Sequence, residues 1–172
     1  MAVQVAFLRA INVGARRVSM QKLRDAFEKM SLDDVETFIA SGNVIFRSTR
    51  KAADLEGVIS AKLEKALGFE VVTFVRSAAQ IKRIVAAPPF RSPADVHVGF
   101  LKKAASAGAK KALDEISNDV DSVTAKGREV FWLARQGMGR ATVSGAKLEK
   151  ALGQPTTLRS LKMLRRLESK LT

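Results

Sequence analysis

Acid–base and nucleophilic catalysis both need paired groups within hydrogen-bond reach. This sequence is poor in such pairs. It has one histidine, His97, and no cysteine. His97 stands in a strand pattern, out of phase with Val96, Val98 and Phe100, and is read as a structural histidine without a partnering acid, serine or second histidine. Zinc would need more ligands than this. The acidic clusters Asp33-Asp34-Glu36, Asp114-Glu115 and Asp119-Asp121 lack the spacing of a calcium loop and are read as solvated turn carboxylates. No metal and no cofactor is expected.

Arginine on glycine-bearing loops is the more suggestive chemistry. Asn12-Val13-Gly14-Ala15-Arg16-Arg17 and Gly137-Met138-Gly139-Arg140 match neither the P-loop nor the dinucleotide fingerprint. Both are expected to precede helices, where free N–H groups favour anions. Arg9, Arg16, Arg17 and Arg140 have the fork geometry for bidentate phosphate contacts. The whole chain leans the same way: 30 basic against 17 acidic residues give a net charge of +13 over 172 residues. From Arg135 to Thr172 there are nine basic residues against only Glu149 and Glu168. Such a field attracts polyanions and says nothing of fold.

The elements that must position these residues follow from periodicity. Val3, Val5 and Phe7 alternate with Gln4, Ala6 and Leu8, a half-buried strand. Ser19 is placed to cap a helix whose apolar face is Met20, Leu23, Phe27 and Met30. Val35 to Ala40 and Val44 to Phe46 read as a hairpin turning through Ser41-Gly42-Asn43. Leu55, Ile59, Leu63 and Leu67 recur every four residues along a helix that Gly68 can end. Val71 to Val75 is again a strand. The order is β-α-β-β-α-β, the split βαβ pattern of ferredoxin-like folds. Ser77 and Gln80 then fit a capping box for a trailing helix.

That unit occurs twice. The octapeptide AKLEKALG stands at Ala61 to Gly68 and again at Ala146 to Gly153. Val96 to Lys102 echoes Val3 to Arg9, Gly108-Ala109-Lys110-Lys111 echoes Gly14-Ala15-Arg16-Arg17, Gly127 and Phe131 echo Gly42 and Phe46, and Arg159 to Leu167 echoes Arg76 to Ile84. A shorter first helix, ending near Ile116, would account for the drift in offset. The expected class is α+β: tandem, pseudo-duplicated ferredoxin-like units, two antiparallel sheets with helices packed on them. The expected boundaries are 1–87 with a trailing helix, a linker at 88–95, and 96–172. The RNA-recognition motif is not met, and the chain lacks tyrosine for base stacking.

The segments F-L-R-A-I-N-V-G (Phe7 to Gly14), I-A-S-G-N-V-I-F (Ile39 to Phe46), V-R-S-A (Val75 to Ala78) and L-E-K-A-L-G (Leu148 to Gly153) together resemble the domain of unknown function 1697 family, a widespread group of small bacterial proteins. The resemblance spans nearly the whole chain. It implies an α+β fold of ferredoxin-like character and no established activity. Its motif positions here are Arg9, Asn12, Gly14, Ser41, Gly42 and Asn43. Two later family motifs, G-[FI]-G-R-S-K-L and T-x-R-N-W, are only half kept: Arg140 and Arg159 remain, while the Ser-Lys and Asn-Trp pairs are replaced.

The leading expectation is therefore a protein that binds a nucleic acid or a phosphate-bearing small molecule. An enzyme using Arg9, Asn12, Ser41 and Asn43 is the first alternative, and a structural or interaction module the second. No apolar run is long enough to span a membrane. Met1 to Leu8 lacks the zones of a signal peptide, so a cytoplasmic location is expected.

Overall fold

The computed structural model describes residues 1–39, 42–91 and 95–171. It contains two four-stranded antiparallel sheets with helices, and each half follows a β-α-β-β-α-β order. The first half holds β1 (Ala2–Leu8), α1 (Met20–Glu28), β2 (Asp33–Thr37), β3 (Asn43–Ser48), α2 (Ala52–Leu67) and β4 (Thr73–Ser77), followed by α3 (Ala78–Ala86). The second holds β5 (Asp95–Phe100), α4 (Ala107–Ile116), β6 (Asp121–Lys126), β7 (Glu129–Ala134), α5 (Gly145–Leu152) and β8 (Thr157–Ser160), followed by α6 (Leu161–Glu168). The strand orders match, β2-β3-β1-β4 and β6-β7-β5-β8. Two compact units result. One is Met1–Arg83 with the chain's last residues from Lys170; the other is Ile84–Ser169.

Local chemistry explains the helices. Ser19, Ser106, Ser144 and Ser160 each accept from the backbone N–H three residues on, at 3.1 Å. Ser77 and Gln80 close the capping box in both directions, at 3.2 and 2.8 Å. Both copies of the octapeptide end alike: Gly68 and Gly153 sit in the left-handed region and donate to Glu64 and Glu149, each at 2.8 Å. Only glycine holds that conformation without a Cβ penalty.

In the first unit Ala6, Leu8, Val44, Phe46 and Val75 face α1 and α2, meeting Leu23, Phe27, Leu55, Ile59 and Leu63. In the second, Trp132, Val123 and Val130 meet Leu113 of α4 and Leu148 and Leu152 of α5. The half-buried strand reading needs correction. Val5 and Phe7, on the opposite face of β1, are as fully buried as Ala6 and Leu8. Val98 and Phe100 repeat this in β5. Phe131 and Trp132, on opposite faces, are both 2% exposed. The strands most like an RNA-binding platform thus offer no open aromatic.

The echo between halves also needs correction in places. Gly108-Ala109-Lys110-Lys111 lies inside α4, not on a loop like Gly14 to Arg17. It is the connection before the helix that is shorter in the second half, while α4 has 10 residues against 9 in α1. Gln4 pairs with Phe46 and His97 with Trp132, so Trp132, not Phe131, is the counterpart of Phe46. Asn43 begins β3 and is not in the turn; Ala40 and Ser41 lie outside the described residues. Asp95, assigned to the linker by sequence, is the first residue of β5.

Candidate anion-binding site

Three chain segments converge at one end of the first sheet, where β1 runs out. The N–H of Leu8 donates to Gly42 at 2.8 Å, and that of Arg9 to Val72 at 3.0 Å. A Cβ on Gly42 would stand 3.0 Å from the Leu8 Cβ and 3.4 Å from that of Ile11. With its φ of +73°, the position accepts only glycine comfortably, because the two loops meet there.

The loop after β1 is closed on itself. Asn12 donates its N–H to Arg16 at 2.8 Å, and its side-chain oxygen accepts from Val18 at 2.7 Å. Val13 and Arg16 form an isolated bridge around Gly14, whose φ is +60°. Arg16 is exposed, lies 5.2 Å from the Phe69 ring centroid, and reaches the Glu70 carbonyl at 3.5 Å. Arg17 is exposed beside it, and Arg9 is half-buried at the loop's root. Across the sheet end, Asn43 is buried and donates through its side chain to the Phe38 carbonyl at 3.0 Å, bracing the β2–β3 loop.

Backbone strain concentrates on these two loops. Ala10, Asn12 and Ile39 have φ of 57°, 59° and 50°. Left-handed backbone costs an ordinary residue about 1–2 kcal/mol, and a β-branched one such as Ile39 is an outlier. The other left-handed non-glycine residues, Ser31 and Asp34, are also in the first unit; among the described residues the second has none.

The structure therefore brings Arg9, Asn12, Gly14, Arg16, Arg17 and Gly42 to two meeting loops, with Asn43 at the start of β3 beside them. Ser41 lies outside the described residues. Arg140 and Arg159 belong to the other unit. Gly137-Met138-Gly139-Arg140 is not an open loop: residues Met138–Arg140 form a short 3-10 helix, with Arg140 exposed. Arg159 is set into the β8 edge, donating to Thr157 Oγ1 at 2.8 Å and to the Leu158 carbonyl at 2.9 Å, and burial lowers its pKa to about 10.

Two titratable groups behave differently from their sequence reading. Asp121 is not a solvated turn carboxylate; it is 0% exposed. Burial pushes its carboxyl up, but donors from Trp132, Thr142 and Val143 outweigh that and hold it below the ordinary carboxylate value. The contacts are Trp132 Nε1 at 2.9 Å, the Thr142 N–H and hydroxyl at 2.6 and 2.7 Å, and the Val143 N–H at 3.1 Å. His97 has an acidic neighbour that the sequence reading passed over: Asp95, two residues back on the same strand face, stands 3.4 Å from Nδ1. Burial lowers the His97 pKa, and the Asp95 charge opposes it. Alternation alone would have pointed to Asp95, since residues i and i+2 share a face. Nothing local marks Asp121, whose donors come from positions 11 to 22 residues away.

The family model described as a protein of unknown function, DUF1697, matches residues 1–131. The chain belongs to this family. Among solved structures, a conserved bacterial protein from Streptococcus pneumoniae superposes with a TM-score of 0.77 at 20% identity, covering 99% of this chain and 98% of that one. At that identity the likeness speaks for the fold alone. No curated protein matches the chain. This DUF1697 protein has no helix, among the described residues, long and apolar enough to cross a membrane. Also among those residues, no group of three or more His, Asp or Glu is placed to hold a metal ion.

Proposed function

We propose that this DUF1697 protein binds the phosphate backbone of a nucleic acid through the arginine loop after β1. The observation that carries the reading is the coincidence of charge and strain. Arg9, Arg16 and Arg17 stand on the first of two meeting loops that hold Ala10, Asn12 and Ile39 left-handed. Strained backbone is kept where the surroundings over-determine it, and it clusters at ligand clamps. A closed loop presents its arginines already ordered, so less entropy is lost on binding than from a loose tail. The first turn of α1 carries no acidic residue to repel phosphate. In the other unit Arg140 is exposed, whereas Arg159 is committed to the β8 edge.

The enzyme alternative draws less support, because its two amides have structural partners. Asn12 holds Val18 and Asn43 holds Phe38.

The test is fluorescence anisotropy of labelled single- and double-stranded oligonucleotides across a salt series. Phosphate-driven binding should weaken linearly in log–log form, with a slope of about −0.9 per neutralised phosphate for duplex and about −0.7 for single strands. Replacing both Arg16 and Arg17 by Ala should flatten the slope by about one for each arginine that pairs with a phosphate. Absence of binding at low salt, or an unchanged slope in that variant, would remove the reading.

A further inference from the structure

The second unit contains a cavity that the loop chemistry does not use. It has a volume of about 810 Å³ and lies between the segment after α3, the start of β5 and the start of α6. We infer that it is a binding site for a mononucleotide, a small ligand joining a planar ring to a phosphate. This site is built from residues of the second unit alone, none of them on the arginine loop, and goes beyond the nucleic-acid reading.

Charge is the first argument. Arg91, Lys162 and Arg165 line the cavity, and Asp95 is its one acid. Asp95 is engaged elsewhere: one carboxylate oxygen accepts from the Met138 N–H at 3.1 Å, and the other faces His97. Lys162 and Arg165 are three apart on α6, so they share a helix face, and both are exposed. No acid stands in the first turn of α6. Three cations converging on one concavity, with the only acid turned to other partners, select a compact anion. Two of the three are arginine, which binds phosphate bidentately.

Shape and the remaining wall are the second argument. Small-molecule sites of about 300–1,000 Å³ hold ligands larger than bare phosphate. Phe90, half-buried, lines the same cavity. An aromatic face beside cations is the combination that accepts a base and its phosphate together. A sugar phosphate would leave Phe90 without a role, and an apolar ligand would leave the cations without one.

Isothermal titration of the full chain with adenosine 5′-monophosphate, adenosine and inorganic phosphate tests this. The monophosphate should bind, and adenosine and phosphate should each bind at least about tenfold more weakly. Lys162→Ala with Arg165→Ala should weaken the monophosphate at least about tenfold, while Phe90→Ala should weaken it without changing the response to phosphate. The two cations are exposed, and matching thermal melts would confirm that the variants are folded. Arg16→Ala with Arg17→Ala should leave mononucleotide binding intact, which separates this site from the loop. No binding of the monophosphate, binding retained in the Lys162/Arg165 variant, or phosphate binding as tightly as the nucleotide would each overturn the inference.

Discussion

Asp121 shows how one side chain can hold a region that lacks regular structure. In the first unit, α2 is 16 residues long; α5, its counterpart, has 8. The segment before α5 cannot satisfy its N–H groups within a helix, so the Asp121 carboxylate takes those of Thr142 and Val143. Hydrogen bonds to a charged group are worth about 1.5–3 kcal/mol each in the range measured by mutation. Asp121→Asn should cost at least about 2 kcal/mol, because an amide turns donors toward donors. Denaturant unfolding measures it. Because the folded carboxyl lies below its ordinary value, this stabilisation is present above the unfolded pKa of about 3.9 and lost as pH falls through the folded one. His97 carries the opposite charge logic but the same pH sense. Its folded pKa is lowered, so the unfolded state takes up a proton first as pH drops through about 6.5. Stability should therefore decline as pH falls from neutral through that value. His97→Gln, which places here the residue that Gln4 supplies in the first unit, should remove that decline while keeping the melt at neutral pH within a few degrees. A pH profile identical to the parent would show that His97 does not titrate in this window.

At the scale of elements, the edge strand β4 is the informative case. An edge exposes unpaired N–H groups that invite association. Here Glu56 of α2 reaches the edge, accepting from the Val75 N–H at 2.9 Å and from Arg76 at 3.0 Å. Arg76 is 1% exposed and Glu56 7%. Removing one partner of a buried ion pair costs about 3–5 kcal/mol. Glu56→Ala should therefore lower the unfolding free energy by that order and promote aggregation, read by urea unfolding and light scattering. Glu56→Gln, which keeps an acceptor, should cost less. This contact joins residues 19 and 20 apart and has no local signature. By contrast the caps at Ser19, Ser77 and Gly68 were legible, because each is settled within three or four residues. The same limit explains the misreading of Gly108 to Lys111. Similar letters fall on a loop in one half and a helix in the other, since Ser106 starts α4 just before them. Burial of both faces of β1 and β5 was likewise hidden. Val-Gln-Val-Ala-Phe-Leu reads as alternation because Gln4 interrupts it, yet Gln4 is itself buried, donating to the Arg50 carbonyl at 2.6 Å.

For the whole molecule, the question is whether the net charge of +13 acts as a diffuse field or through one placed loop. The basic residues are distributed over both units, while the left-handed non-glycine residues described are all in the first. A diffuse field would make any surface cation about equally important, with encounter rates falling as salt screens it beyond a Debye length of about 8–10 Å. A placed loop would make two arginines count for more than two lysines elsewhere. Lys110 and Lys111 on α4 are exposed and provide the control. Changing both to Glu lowers the net charge to about +9, a larger drop than Arg16→Ala with Arg17→Ala, which leaves about +11. Oligonucleotide affinity at about 0.1 M salt should nonetheless fall at least about tenfold in the arginine variant and only about two- to threefold in the lysine variant. The order of those two effects, measured side by side by anisotropy, decides the matter. If the lysine variant is the weaker binder, the binding follows total charge, and the loop after β1 is a strained turn whose arginines have no privileged place.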